Sequence, residues 1–571
     1  MTWARNNAQN LTVGRVAAAG LGVYLGAKVL LLIVLSVNTQ YLMDEYMIAR
    51  SALSVDQNPY IDIWPAKTLF YAYFYRISFW LGSDSIEVMR IARIETVAIA
   101  LASLVLLYAI ARKIGRTKFE ALFAVCVTLA FSSYVEWAFA VRPEPLALFF
   151  ALTAIWVSVR QPATFKVWLI AGLFCGAAFL TTQKSVYFNF ALGAALVGEA
   201  LYRWSPVRAV QSGATLMLGW GIIIALYVGF YALGGADPAA ILRIIFFGPA
   251  VENAVSGHIV YDSPRIFLLH TFFRNALLYA ICVAGWLTAV ISMRRRTPGE
   301  RIAMIFTAVI AVLVFRYHSA PWPYNFIMAI PFLALWSPLL IAPIRRLSKP
   351  WQMATLAIAL LIVGVSFVRN LQYFGHDNAV QERIMVQAES LLEPSEAYFD
   401  GIFMIVTRPN AVDRWLGHSA ILRIQLAAAN GKFNAIENVL ANMPKLWILN
   451  YRTKKIENIL SPFLDDSYVA VASNILLTGM RLEGQVVRVF QNRWPGAYRL
   501  YDAEGRPSDA TLLLDGVPVN GQITLRTGDY RMRMAAGQEG AYYLLPEGFK
   551  AIGPLASDVE HFVLFPWAHN F

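Results

Sequence analysis

Charge is scarce in this chain of 571 residues: Asp, Glu, Lys and Arg make up 15% of it, against 58% hydrophobic residues. A water-soluble domain carries roughly a quarter charged residues, so most of this chain is not built for water. Cysteine is scarcer still. Cys126, Cys175 and Cys282 all sit inside apolar runs, where a thiol behaves as a small buried hydrophobe; neither a disulfide framework nor a thiolate metal site is indicated. The seven histidines show no i, i+4 pair, so no metal ligand set or cofactor is read from them, and a divalent metal is left open. No internal repeat marks the two inverted halves of a transporter.

Long hydrophobic runs are what the chain has instead, with a mean hydropathy of +0.52. They have the length, roughly 17 to 25 residues, that a helix needs to cross about 30 Å of hydrocarbon. Spans are expected near residues 14–37, 89–111, 119–136, 144–159, 167–182, 186–201, 210–233, 276–293, 302–317, 325–343 and 352–368, about eleven in all. The first is too long for a signal-peptide h-region and has no A-x-A cleavage site, so it reads as an uncleaved span.

The formal net charge of +12 is carried largely by alternate short loops. These hold Arg112, Lys113, Arg116 and Lys118; Arg160 and Lys166; Arg203 and Arg208; Arg294, Arg295, Arg296 and Arg301; Arg345, Arg346 and Lys349. Such loops set topology and stay cytoplasmic, and nucleic acid is not expected as a partner. The opposite loops, chiefly 38–88 and 234–275, are longer, and loops of that length usually have a function. The first holds two amphipathic stretches, 43–53 and 67–80, expected to lie on the outer membrane surface.

Residues 1–370 thus form a transmembrane domain, and an odd number of spans leaves 371–571 outside. That second region reads as α/β over 371–480 and β-rich over 481–571. The segments TLLLDGVPV (511–519) and TLRTGDYRM (524–532) read as strands, with the second continuing to Met534 and with Asp515-Gly516 at a hairpin turn. LLLDGVPV followed by LRTGDYRMRM resembles the small PEGA-type β-sandwich of bacterial envelope proteins.

Chemistry is concentrated in the outer loops. Asp44-Glu45 follows the first span, then Asn58-Pro59-Tyr60 and Trp64-Pro65-Ala66-Lys67. Paired carboxylates at a membrane surface can hold an acceptor hydroxyl and take its proton, worth about 10² to 10⁴ in rate; the same pair can simply favour a helix N-terminus through its dipole. Arg142-Pro143-Glu144-Pro145 opens another apolar run, a second place where a carboxylate suits a helix start. Lys184, Arg316 and His318 lie at outer ends of spans, together with Arg265, Arg274, His258 and His270, where a cation can meet a lipid phosphate or snorkel for anchorage. Lys28 is an ionisable group within a span, a feature that also fits a transporter or lipid flippase, the alternative reading.

The Asp44-Glu45 pair after the first span, the two surface stretches and Pro65-Ala66-Lys67 resemble the GT-C superfamily of polyprenyl-phosphate-sugar glycosyltransferases. Within it the likeness is to the protein O-mannosyltransferases and the aminoarabinose transferases, and it runs through about the first 370 residues. The resemblance implies that Asp44 is the catalytic base and that Glu45 supports it. It also implies that Lys67 meets the donor phosphate and that Glu144, with Arg142 beside it, belongs to the acceptor or donor site; Lys184 and Arg316, at the outer ends of spans, are expected to meet the same phosphate, and Tyr60 and His318 to bind substrate. The expected reaction is inverting transfer of a sugar to a glycan, lipid or protein acceptor on the outer face of the plasma membrane. Where the aminoarabinose transferases have an Arg and a Glu, this chain has Met47 and Ala66, which argues against aminoarabinose as the sugar and against a metal held by that Glu.

Overall fold

The computed structural model describes residues 2–62, 65, 67–159, 164–203, 205–256, 264–317, 322–412, 416–431, 444–551 and 555. It is a polytopic helical bundle capped by a region of mixed and β structure. Helices α1 (Thr2–Asn38), α2 (Met43–Ser54), α3 (Ala72–Leu81), α4 (Ser85–Lys113), α5 (Lys118–Ala130) and α6 (Ser132–Trp137) come first. Then follow α7 (Pro143–Ser158), α8 (Phe165–Thr181), α9 (Val186–Tyr202), α10 (Pro206–Leu233), α11 (Pro238–Ser256), α12 (Pro264–Arg274) and α13 (Ala276–Ile291). The last helices of the bundle are α14 (Pro298–Val312), α15 (Ile330–Ala334), α16 (Ile341–Arg345) and α17 (Lys349–Leu371).

Local chemistry sets many of these boundaries. Asp84 caps α4 by accepting from the Glu87 amide at 2.8 Å. Thr117 with Glu120, and Thr297 with Glu300, form reciprocal capping boxes on α5 and α14, each satisfying two otherwise orphaned donors. Proline starts α7, α10 and α14, where its missing N–H costs nothing.

Five helical stretches among the described residues are long and apolar enough to cross a membrane: Ala17–Asn38, Ser85–Lys113, Pro206–Leu233, Pro298–Tyr317 and Lys349–Gly375. Four more expected spans are single helices of 16 or 17 residues, α7, α8, α9 and α13. The other two are interrupted. The expected 119–136 span breaks at Phe131, where the Ser132 amide donates to the Asn275 side chain at 3.1 Å; irregular backbone at this depth is kept where protein satisfies it. The expected 325–343 span becomes short 3₁₀ and α pieces, because Pro323, Pro331, Pro338 and Pro343 deny it a continuous ladder. The outer segment 234–275, expected as a loop, contains α11 and α12. Of the two surface stretches, 43–53 is α2, and the second shortens to α3 because the chain stays irregular until Tyr71.

The basic loops gather at one end. Arg116 and Arg296 both pair with Glu300, and Arg203 and Arg301 both pair with Glu199, joining three of those loops. The opposite end carries α2, α3 and the region beyond α17.

That region starts with α18 (Ala379–Ser390) and a four-stranded sheet, β1 (Tyr398–Phe399), β2 (Leu446–Ile448), β3 (Tyr468–Ala472) and β4 (Ile475–Thr478), in the order β1-β2-β4-β3. Helices α19 (His418–Ala429) and α20 (Glu457–Ser467) cover the Trp447 face. The other face shares one hydrophobic core with α2, α3 and α4, through Tyr46, Tyr75, Met89, Tyr398 and Leu477. Eight further strands form two facing sheets over Leu482, Phe490, Leu512 and Met532. These strands are β5 (Met480–Glu483), β6 (Arg488–Asn492), β7 (Gly496–Tyr501), β8 (Leu512–Leu514), β9 (Val517–Val519), β10 (Ile523–Leu525), β11 (Gly528–Met534) and β12 (Ala541–Pro546). Asp515 and Gly516, both at positive φ (49° and 87°), close the β8–β9 hairpin, as a type I′ turn demands. The expected strand over 524–534 is two: β10 pairs with β7 and β11 with β6 and β8, in different sheets. The crossing is held by the Tyr530 hydroxyl, which accepts from the Arg526 amide at 3.0 Å.

Candidate active site

Asp44 and Glu45 occupy the first turn of α2, and their neighbouring positions put them in opposite circumstances. Glu45 is fully buried, and its carboxylate accepts from the Leu42 amide at 2.8 Å, the Val141 amide at 2.9 Å, and Arg93 Nε and Nη2 at 2.8 and 2.6 Å. Arg93 spends its remaining donors on the carbonyls of Ser36, Thr39 and Gln40, at 3.2, 2.6 and 2.9 Å. The Ser36 carbonyl lies in the last turn of α1, where carbonyls lack intrahelical partners, and the other two lie in the link to α2, so one guanidinium finishes α1 and fixes α2. A buried Glu45 with every lone-pair direction used has no room to receive a substrate proton.

Asp44 retains 28% of its side-chain exposure and accepts from Arg142 Nη1 through Oδ2 at 2.5 Å. Arg142 stands just before α7, its carbonyl held by the Tyr75 hydroxyl at 2.9 Å. Its Nε reaches Glu144 at 3.2 Å, and Glu144, at the N-terminal turn of α7, is buried. Lys184, in the 3₁₀ turn between α8 and α9, donates to Glu144 at 2.7 Å and to Asn325 Oδ1 at 3.0 Å. The Tyr324 ring lies against both cations, with Arg142 Cζ 3.6 Å and Lys184 Nζ 4.4 Å from its centroid. Such contacts are worth up to about 2 kcal/mol each when desolvated.

Asp44, Arg142, Glu144, Lys184 and Asn325 thus form one chain of contacts drawn from four separate parts of the sequence. Within it Glu144 is sealed, while Asp44 and Lys184 each keep 28% of their side-chain surface. The arrangement offers a half-buried carboxylate and a half-buried lysine, joined through a buried Arg–Glu pair. Lys67 is exposed in the loop before α3.

The other expected site residues lie elsewhere. Tyr60 is buried, at a strained φ of 69°, with its hydroxyl 2.6 Å from that of Tyr227 and its ring 4.8 Å from Tyr231. The Tyr227 hydroxyl also accepts from the Leu69 amide at 3.0 Å, and Thr68 donates to the Leu180 carbonyl at 2.5 Å, so Tyr60 belongs to the aromatic stack that supports the Lys67 loop. Arg316 is exposed in the wide turn ending α14 and makes no ion pair with the cluster among the described residues. His318 lies outside the described residues, as does the side chain of His270. Arg274 pairs with the buried Glu136 at 3.2 Å, away from Asp44, and Lys28 donates to Ser366 and Asn370 at 2.8 and 2.6 Å, bracing α1 against α17. Among the described residues no three His, Cys, Asp or Glu side chains converge as a metal site.

Sequence reasoning missed Arg93, Tyr324 and Asn325. Arg93 was visible as a guanidinium one turn inside an apolar run, which requires a partner. Tyr324 and Asn325 were hidden by an apolar average that ignored the prolines on either side.

Residues 66–228 match the family model of dolichyl-phosphate-mannose-protein mannosyltransferases. No curated protein matches the chain. Among solved structures it is similar to ArnT from Cupriavidus metallidurans in the apo state, with a TM-score of 0.55, 14% identity, and coverage of 81% of this chain and 98% of that one. The same transferase bound to undecaprenyl phosphate gives a TM-score of 0.54, 15% identity, and coverage of 80% and 98%. The apo Archaeoglobus fulgidus oligosaccharyltransferase gives 0.49 at 11% identity, over 93% of this chain and 95% of that one.

Proposed function

We propose that this chain, which carries the GT-C glycosyltransferase fold, moves a sugar from a polyprenyl-phosphate donor to an acceptor on the extracytoplasmic face of the membrane. The observation that carries the reading is a partly exposed Asp44 carboxylate linked through Arg142 and Glu144 to a partly exposed Lys184, at the end of the bundle opposite the basic loops. By the positive-inside rule those loops are cytoplasmic, so Asp44 and the region from α18 onward face outward.

In the proposed reaction the acceptor oxygen forms a bond to the anomeric carbon while the bond from that carbon to the donor phosphate breaks. The hydroxyl proton passes to Asp44 Oδ1, since Oδ2 is engaged by Arg142. The electron pair leaves with the polyprenyl phosphate, whose charge Lys184 and Lys67 meet. Attack and departure on opposite faces invert the anomeric configuration. Glu45 and Glu144 position these groups: the first holds α2, and the second spaces Arg142 from Lys184. Acceptors of three kinds are compatible with this chemistry, namely glycan, lipid and protein hydroxyls.

The fold is supported by a relative solved with undecaprenyl phosphate, which favours a monophosphate donor here. Purified protein in proteoliposomes, given labelled sugar on polyprenyl monophosphate or on polyprenyl diphosphate, tests this. Release of polyprenyl phosphate from the monophosphate alone is expected; turnover of the diphosphate alone would replace the reading with a polysaccharide-ligase one.

A further inference from the structure

The four residues between α1 and α2 carry the backbone that aims Asp44, and they have no regular secondary structure of their own. Their polar groups are satisfied from two sides. From within the bundle, Arg93 takes the carbonyls of Thr39 and Gln40. The Thr39 amide is taken by α1 and both backbone groups of Leu42 by Glu45 of α2, while from outside the segment that follows α17 takes the Gln40 amide and both backbone groups of Tyr41. The Gln40 amide donates to the His376 carbonyl at 2.9 Å, the Asn378 amide to the Asn38 carbonyl at 3.2 Å, and Asn378 Nδ2 to the Val37 carbonyl at 2.9 Å. Thr39 and Asp377 face each other as an antiparallel bridge.

Gln381, on the first turns of α18, completes the contact. Its side chain is 1% exposed and treats Tyr41 as one strand treats another: Oε1 accepts from the Tyr41 amide at 2.7 Å and Nε2 donates to the Tyr41 carbonyl at 2.9 Å. The adjacent Glu382 accepts from the Tyr41 hydroxyl at 3.1 Å and from Arg90 of α4 at 3.1 and 2.8 Å. Tyr41 is therefore held by backbone and side chain three residues before Asp44.

We infer that Gln381 is a positioning residue, and that the start of the outer region is a clamp that sets the register of the Asp44 carboxylate against the acceptor. A buried amide bonded to both backbone polar groups of one residue fixes where that residue lies; apolar contact alone would let it slide. The clamp bears directly on the segment that carries Asp44 and reaches Lys184 only through Arg142 and the sealed Glu144, while Lys67 belongs to another segment. Its loss therefore slows chemistry without loosening the donor. The inference rests on the assignment of Asp44 as the base.

The test uses the full-length protein in proteoliposomes with labelled polyprenyl-phosphate sugar, comparing wild type, Asp44→Asn and Gln381→Leu. For Gln381→Leu, kcat is expected to fall roughly 10- to 100-fold, the scale of a misplacement near 1 Å, with donor KM essentially unchanged. A merely structural role would instead reduce the amount of folded protein and leave kcat per folded molecule alone. A second variant, Thr39→Cys with Asp377→Cys in the Gln381→Leu background, replaces the amide clamp by a covalent one; facing positions of an antiparallel bridge suit a disulfide, and the three native cysteines are buried. Oxidation is expected to restore kcat and reduction to lose it again. Wild-type kcat in Gln381→Leu alongside a dead Asp44→Asn overturns the clamp and leaves the function standing, as does an oxidised, folded double-cysteine variant that stays slow. A wild-type protein that transfers nothing from the donor overturns the function itself, and the clamp with it.

Discussion

Adjacent carboxylates in a sequence look interchangeable, and Asp44 and Glu45 are not. One side chain rises into a partly open space beside Arg142; the other is fully buried where Arg93 meets it with two donors. Breaking a buried ion pair from one side strands a charge and costs about 3–5 kcal/mol. Arg93→Leu and Glu45→Gln should both lower the thermal unfolding temperature of the purified protein markedly, whereas Asp44→Asn should hardly move it; equal effects would mean that the two carboxylates share one role. Lys184 is the complementary case. Losing a charge-assisted bond of about 1.5–3 kcal/mol in Lys184→Met should raise donor KM roughly 10- to 100-fold with kcat less affected, and an unchanged KM would remove Lys184 from the phosphate site. Asp44, Arg142, Glu144 and Lys184 were all legible in the sequence, because charge at the mouth of an apolar run stands out. Their partners were not, since Tyr324 binds cations through a ring face and Asn325 through an amide, and neither has a pattern of its own.

At the scale of elements, apolar runs mark helices well where one helix fills the run: the stretch expected over 276–293 is α13, Ala276–Ile291. Runs mislead where the chain kinks, as at Phe131 and along the proline-punctuated 323–345 stretch, because hydropathy averages over a break that backbone chemistry imposes. The β hairpin at Asp515-Gly516 was legible from its turn residues, but the switch of sheets at Arg526 was not, since alternation continues straight across it. Close helix packing is written in small residues. A Cβ on Gly172 or Gly219 would come within 2.1 Å of a backbone carbonyl on the opposing helix, so α8 and α10 touch backbone to backbone, as small-xxx-small faces allow in lipid. Gly219→Leu should therefore separate α8 from α10, shift Lys184 at the end of α8, and lose both monodispersity in detergent and activity; a variant that elutes and turns over like wild type would refute the close contact.

Over the whole molecule, the helices act as a scaffold with two unlike ends. Basic loops, bound to one another through Glu199 and Glu300, close one end, and the other brings α2, α7 and the α8–α9 turn together under a region that shares their core. The composition changes near residue 370, at the last helix long and apolar enough to cross a membrane, while the packing continues across it, which is why the region beyond α17 can bear on the site. The proposed function depends on Asp44 being the group that activates the acceptor. The most direct measurement is single-turnover transfer from labelled polyprenyl-phosphate sugar by reconstituted wild type and Asp44→Asn, matched for folded protein and donor binding. The prediction is a rate lower by about 10² to 10⁴ in Asp44→Asn with unchanged donor affinity; transfer at the wild-type rate would contradict it.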